Sequence, residues 1–306
     1  MVTGAAGFIG HHLCQRLQNQ YDVIGLDSLE RGLPDVQHRA ALQPGLWKES
    51  IHSPFLDSLE TKPDVLIHLA ANTGIADSLL HPEVYFRNNV QGTLNLLQQC
   101  KKNGVKNLIY ASSSSVYESG QSVMNELSPS ENQLSFYGTT KKMMEVLVQN
   151  FCLQNGLTAI GLRFFTVYGS WTRMDMAAYK FMKSIQQNQA ITLYNEGLVE
   201  RDFTHWSDII TSIELLIQKI QVESKATHRL FNIGSQRPVL VKDFAQAIAE
   251  AMEKPLKFQS KPLPFNELVR TCSDSSALAN YTGFSPKMPL EQGVSEMVNW
   301  FKQGIY

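Results

Sequence analysis

A chain of 306 residues with 43% hydrophobic and 18% charged side chains can bury a large α/β core with a smaller lobe beside it. It is too apolar for a disordered or low-complexity protein. Its 27 basic and 28 acidic residues leave a formal charge of −1, which excludes an electrostatic footprint for nucleic acid or an anionic membrane and puts the burden of binding on local sites. Cys14, Cys100, Cys152 and Cys272 stand far apart without metal-ligand spacing and read as reduced, buried thiols; no metal is expected. No signal segment is apparent and no apolar run approaches roughly 18 residues, so a cytoplasmic protein is expected.

Met1 to Thr3 lead into GAAGFIG, which sets Gly4, Gly7 and Gly10 three apart at the head of a helical pattern through Gln18. Glycines here let the backbone turn tightly and approach a pyrophosphate, which sits on the free N–H groups of the helix N-terminus. Gly4, Gly7, Phe8, Ile9 and Gly10 are therefore candidate cofactor contacts. YDVIGLD follows as an apolar strand ending in Asp27, whose carboxylate would accept ribose hydroxyls and repel a 2′-phosphate, favouring NAD over NADP. A glycine-rich turn alone also occurs in unrelated α/β proteins; strand, helix, strand and terminal acid in order favour the cofactor. The first strand is irregular, because only three residues precede Gly4. A strand clipped there would lose part of its ladder, with a cost to stability and cofactor affinity.

Residues 28 to 63, with Pro34, Pro44, Pro54 and Pro63, are less regular and end before the strand DVLIHLAA at 64 to 71. Leu69, Ala70 and Ala71 at its carboxyl end would allow a ligand close to the backbone. An amphipathic helix is expected from His81 to Asn103, with Val84, Phe86, Val90, Leu94 and Leu97 inward and Asn89 a further cofactor candidate. KNLIYASS then makes a buried strand that delivers Ser112 to Ser115 at its carboxyl end, and a helix runs from Tyr137 to about Gln154.

Tyr137 and Lys141 are four apart and share a helix face, so an ammonium lies beside a phenol and lowers its pKa from roughly 10 toward that of a usable base. A hydroxyl from the serine run, Ser113, could share a hydrogen bond with the phenolate and hold a substrate alcohol in line. YxxxK alone more often marks a solvated helix face; the hydride acceptor encoded upstream changes that weighting. LTAIGLRFF, 157 to 165, is the next strand, and the irregular TVYGSWTRMDMA carries Thr166 and Arg173 toward the crevice. A helix over Ala177 to Gln187, the strand ITLYN, RDFTHWSDI with Arg201 and Asp202, and a helix to Gln221 follow. The strand HRLFNIG and helices over Val241 to Glu253 and Leu290 to Lys302 complete the chain. Strands alternating with helices through the first 165 residues predict a doubly wound parallel sheet.

GAAGFIG, HLAA, ASSSSVY, YGTTK, LRFFTVYG and RDFTH, in this order and over nearly the whole chain, resemble the extended short-chain dehydrogenase/reductases; LRFFTVYGSWTRMDMA is most similar to the UDP-glucuronate 4-epimerases. The resemblance implies a Rossmann NAD domain over 1–165 and about 203–234, and a smaller C-terminal α/β lobe for a nucleotide sugar over about 166–202 and 235–306. It implies Tyr137 as base, Lys141 as the residue that orients the nicotinamide ribose and Ser113 as the hydroxyl partner. Thr166 and Arg173 would hold the substrate around its carboxylate, and Arg201 and Arg270 would meet the UDP part. The implied reaction removes a proton and a hydride at C4 of the sugar, turns the 4-keto intermediate over and returns the hydride to the opposite face. That intermediate is a β-keto acid prone to losing carbon dioxide, and Ser113, Ser114, Ser115, Thr166 and Arg173 are the candidate clamp on its carboxylate. Relatives that dehydrate or decarboxylate carry acidic residues where Ser114 and Ser115 stand, which favours simple epimerisation.

Three positions depart from the pattern: Ala76 replaces an expected arginine, Ser50 an expected adenine-binding aspartate, and Ser207 with Asp208 an aspartate pair. Loss of a cation at Ala76 opens the alternative of a neutral UDP-N-acetylhexosamine. A noncatalytic NAD-binding protein is the third reading, against which the intact Ser113, Tyr137 and Lys141 speak. The resemblance also implies a homodimer joined through the helices near 82–103 and 137–154.

Overall fold

Runs of leucine, isoleucine and valine too short for helices, each followed by an amphipathic segment, give strands buried on both faces, the setting of a parallel sheet. In the computed structural model, which describes residues 1–30, 34–43, 45–223 and 225–304, the chain opens as β1 (Val2–Thr3), α1 (Phe8–Leu17), β2 (Gly25–Asp27), α2 (Pro34–Ala41), β3 (Trp47–Lys48) and β4 (Leu66–His68). It continues as α3 (Ile75–Leu80), α4 (Pro82–Tyr85), α5 (Gly92–Asn103), β5 (Asn107–Ser113), α6 (Phe136–Asn155), β6 (Thr158–Phe164), β7 (Thr166–Tyr168), α7 (Ala177–Gln186) and β8 (Ile191–Tyr194). β9 (Glu200–His205), α8 (Trp206–Ile220), β10 (His228–Ile233), β11 (Pro238–Leu240), α9 (Val241–Ala251), β12 (Phe258–Lys261), α10 (Ser276–Thr282) and α11 (Leu290–Lys302) follow. Pro44 and the last two residues of the expected second lobe lie outside the described residues.

Seven parallel strands form one sheet in the order β10-β6-β5-β4-β1-β2-β3. The order turns around at β1, whose neighbours are β2 and β4, and this doubly wound switch point is where open α/β sheets bind ligands, at the carboxyl ends of the strands. Side chains alternate across it: Ile109 packs with Leu13, Ile209 and Ile213 from α1 and α8, whereas Leu108 and Tyr110 pack with Leu96, Met144 and Val148 from α5 and α6. A three-stranded sheet, β11-β9-β7, and the pair β12-β8 surround a separate core that includes Phe181, Met182, Phe203, Phe244 and Met297.

The helix expected from His81 to Asn103 is broken by a π-helical turn, Phe86–Gln91. Its buried stripe runs through Tyr85, Asn89, Thr93 and Leu96, while Val84, Phe86 and Leu94, expected inward, are 38%, 38% and 39% exposed. The apolar pattern misleads because two polar residues take the inner face. Asn89 accepts from the Asn72 amide at 2.8 Å and donates to Thr140 at 3.0 Å, and Thr93 meets His68 at 3.1 Å. Strands β2 and β4 are shorter than the apolar runs around them, β7 forms where irregular chain is expected, and β9 runs through RDFTH, for which the sequence predicts no element. Asp202 explains β9: it accepts from both Ser235 and Ser273, through amide and hydroxyl in each case, and ties β9 to the chain after β10 and before α10.

Candidate active site

At the switch point the chain leaves β1 through Gly4, whose φ of +72° belongs to the left-handed region. A Cβ there would lie 2.6 Å from the Ala70 nitrogen, so the glycine turn and the end of β4 approach backbone to backbone. A Cβ on Gly10 would strike the Gly4 carbonyl. Gly10→Ala is therefore expected to cost several kcal/mol and to yield protein without bound NAD, checked by thermal unfolding and the nucleotide content of the purified variant. Gly7 caps α1 without a side-chain acceptor, leaving the first amides of the helix to an anion in the cavity that Gly7, Phe8, Ile9 and Gly10 line. Asp27 at the end of β2 accepts from the amides of Ala6 (3.0 Å) and Leu29 (3.0 Å); burial raises its pKa and these bonds oppose the rise.

Across the cavity, β5 ends in Ser113, whose hydroxyl accepts from the Ser115 amide at 3.1 Å and starts a tight turn through Ser114, Ser115 and Val116. Ser135 caps α6 by accepting from the Gly138 amide at 3.0 Å, which places Tyr137 in the first turn. Gly138 was not singled out in the sequence, yet a Cβ there would collide with the Ser115 carbonyl. Only glycine lets the start of α6 rest on the serine turn. Tyr137 is further held by its amide, which donates to Ser78 (3.1 Å), and by the edge-on ring of Tyr85 at 6.3 Å.

Lys141 is fully buried, with its ammonium 6.0 Å from the centre of the Tyr137 ring and donating to the Ala111 carbonyl at 2.8 Å. Burial raises the Tyr137 pKa, while a hydrogen bond with Ser113 and the charge of Arg173 pull it down. Burial lowers Lys141 to about 7, against the opposing charge of Glu145. Ser113 and Arg173 thus act directly on the phenol, and Lys141 is spent partly on the strand backbone, a difference from the direct ammonium effect that the four-residue spacing predicts.

One cavity of about 660 Å³ is lined by Gly4, Gly7, Phe8, Ile9, Gly10, Asp27, Leu69, Ala70, Ala71, Ser113, Ser114, Ser115, Tyr137, Lys141, Thr166 and Arg173. Ser50 and Ala76 also face it. Asn89, Arg201 and Arg270 do not line it. Asn89 braces the loop after β4, as described above. Arg201 bonds Glu267 at 2.9 Å, and Arg270 pairs with Glu200. Asp208 is a cap for the Lys287 and Met288 amides, at 3.0 and 2.9 Å.

Asp175 and Glu267 line the cavity and were not anticipated. Asp175 accepts both arms of Arg173, at 2.9 and 3.0 Å, and its place two residues after that arginine was the available signal. Glu267 carried no local signal. Among the described residues no helix is long and apolar enough to cross a membrane and no His, Cys, Asp or Glu group is arranged for a metal.

A glycine turn against a helix N-terminus, an acid at the end of the second strand and a Ser–Tyr–Lys cluster fit a dinucleotide beside an alcohol. Comparison with known proteins agrees. The probable UDP-glucuronate 4-epimerase of Rhizobium meliloti is 31% identical over 330 residues, covering 99% of this chain and 96% of that protein. UDP-glucuronic acid 4-epimerase from Bacillus cereus, solved with UDP-glucuronic acid and NAD, superposes with a TM-score of 0.89 at 29% identity, over 99% of this chain and 98% of that one. MoeE5, solved with NAD and either UDP-glucuronic acid or UDP-glucose, superposes with a TM-score of 0.86 at 29% and 28% identity, over 99% and 100% of this chain and 98% and 99% of that one. Residues 1–234 match the NAD dependent epimerase/dehydratase family. The chain belongs to that family, and it is an epimerase-type enzyme with NAD as its cofactor.

Proposed function

We propose that the protein is a nucleotide-sugar 4-epimerase that interconverts UDP-glucuronate and UDP-galacturonate. The observation that carries this reading is Arg173: its charge reaches Tyr137 inside the cavity, where a carboxylate on the neighbouring sugar carbon would lie once Asp175 yields its hold on the guanidinium, and Ser114 and Ser115 stand where dehydrating or decarboxylating relatives carry acids. The relatives named for UDP-glucuronate epimerisation support the same substrate.

In this reading Gly4, Gly7, Phe8, Ile9 and Gly10 hold the pyrophosphate, Asp27 the adenosine ribose, and Leu69 to Ala71 flank the cofactor. Bound there, NAD would supply the acceptor and then the donor of the C4 hydride. Tyr137 receives the proton of the 4-hydroxyl, and Ser113 keeps that hydroxyl in line. Arg173, Thr166 and the serine turn hold the carboxylate of the 4-keto sugar away from the geometry for losing carbon dioxide. Arg201, and Arg270 behind it, would steer the UDP part once Glu267 and Glu200 yield. The chain divides into an NAD domain over 1–165 and about 203–234 and a sugar-nucleotide lobe over the rest.

Arg173→Gln is expected to raise KM for UDP-glucuronate about 10–100-fold, the loss of a charge-assisted hydrogen bond, and to release carbon dioxide with a UDP-pentose by-product. Steady-state kinetics and product chromatography check both. Unchanged KM with clean epimerisation would take Arg173 out of the carboxylate site. Ala76 favours a second reading, a UDP-N-acetylhexosamine 4-epimerase, because the cavity there presents a methyl group to the sugar. Turnover of UDP-N-acetylglucosamine in place of UDP-glucuronate would select it.

We also infer a cytoplasmic homodimer serving polysaccharide synthesis. Leu80, Val84, Leu94, Met143, Val146 and Leu153 on α3 to α6 are exposed and suit a four-helix interface, and the four cysteines are unpaired. A monomeric mass by light scattering at micromolar protein would contradict the dimer.

A further inference from the structure

Beneath the Ser113, Tyr137 and Lys141 cluster lies a second, buried charge pair. Arg163 of β6 and Glu145 of α6 form a fork, Nε to Oε1 and Nη2 to Oε2 both at 2.8 Å, with side chains 2% and 4% exposed. Ser112 donates to Glu145 Oε1 at 2.6 Å, and Arg163 Nη1 donates to Tyr117 Oη at 3.0 Å and to the Glu126 carbonyl at 3.1 Å. A buried pair of this kind is weak evidence for stability, because desolvation offsets most of the attraction. Its position is more telling. Glu145 stands one turn beyond Lys141 on α6, and both reach β5, Lys141 onto the Ala111 carbonyl and Glu145 onto the Ser112 hydroxyl. The next residue is Ser113, which bonds Tyr137.

We propose that Glu145 is a positioning residue for the reaction: fixed by Arg163 one turn beyond Lys141, its carboxylate holds, through Ser112, the end of β5 from which Ser113 meets Tyr137. The proposal rests on the reading of Tyr137 as the base. Around the Lys141 ammonium stand Tyr137 on its own helix, the buried His68 on β4, and Glu145. Behind Glu145 lie Arg163, Lys142 at 3.9 Å, Tyr110 of β5 and His228 of β10. Glu145 is the one charge in this group that opposes the effect of burial on Lys141. Remove it, and the lysine loses its proton at lower pH, while Ser113 is no longer held to the hydrogen bond that pulls the Tyr137 pKa down.

The test compares E145Q with the double variant E145Q/R163M, which does not leave Arg163 as a lone buried charge and so guards against misfolding. The pH profile of kcat is measured with UDP-glucuronate and with UDP-N-acetylglucosamine, and Tyr137 ionisation is followed by ultraviolet difference titration against Tyr137→Phe. Both variants should lose about tenfold or more in kcat with KM nearly unchanged, and their alkaline limb should move to lower pH by about one unit, a tenfold change in proton affinity. The Tyr137 phenolate should appear at higher pH than in the parent. A loss of thermal stability with the same fractional activity at every pH and an unmoved limb would overturn the proposal, since that is the behaviour of a purely structural pair. Tyr137→Phe separates the two levels: if it retains turnover the reading of the base falls, and if it is inactive while the double variant keeps the parent profile, only the role of Glu145 falls.

Discussion

Tyr137→Phe is expected to lower kcat for epimerisation by roughly 10²–10⁴-fold while leaving the fold and bound NAD intact. The substitution removes one oxygen. The ring keeps its edge-on contact with Tyr85, and the amide keeps its bond to Ser78, so the start of α6 has no reason to move. What disappears is the group that Ser113 and Arg173 pull toward ionisation against the cost of burial. Turnover, thermal unfolding and nucleotide content of the purified variant, measured together, separate lost chemistry from lost structure. A variant with parental kcat would exclude Tyr137 from proton transfer.

Acid should unfold the protein well above the pH at which ordinary carboxylates titrate. His11, His12, His68 and His205 are buried, and burial lowers their pKa values to about 4, 3, 3 and 4. Each is built in as a neutral ring: His68 bridges Thr3 and Thr93, His12 stacks on Trp206 at 3.7 Å, and His11 and His205 meet Gln43 and Ser207. Above the unfolded value of about 6.5 the rings are neutral in both states and cost nothing. As pH falls below that value the unfolded chain takes up protons that the folded one refuses, so stability is lost steadily until the folded values are reached. Four such rings give a slope on the order of 5 kcal/mol per pH unit, enough to exhaust a typical stability of about 5–15 kcal/mol near pH 5. Burial raises Asp27 and Asp208, which act in the opposite sense. Thermal unfolding at pH 7.5, 6.5, 5.5 and 5.0 checks this; a transition temperature flat from 7.5 to 5.0 would show that the rings are not held neutral.

The parts of the site that could be read in the sequence are those fixed by local spacing. The glycine turn, Asp27, the end of β4, the serine run, Tyr137 and Lys141 arrive at one cavity because each sits at a strand end or a first helical turn, and the doubly wound order brings those ends together. Pairings made across the chain could not be read this way. The partners of Arg201 and Arg270, Glu267 and Glu200, stand 66 and 70 residues away, and no periodicity announces them. Asn89 and Thr93 show the same limit inside a helix: the apolar spacing puts Val84, Phe86 and Leu94 inward, and buried hydrogen-bond partners on other elements turn Asn89 and Thr93 there instead. Gly138 is a close-approach glycine whose reason, the Ser115 carbonyl, is visible only when α6 is docked.

The most direct test of the proposed activity is to incubate the purified protein and NAD with UDP-glucuronate and follow the anomeric protons of the sugar by NMR. The account predicts that UDP-galacturonate appears until the two sugars reach equilibrium, without net reduction of NAD, and that Tyr137→Phe abolishes the change. An unchanged UDP-glucuronate spectrum from protein that holds NAD would contradict it.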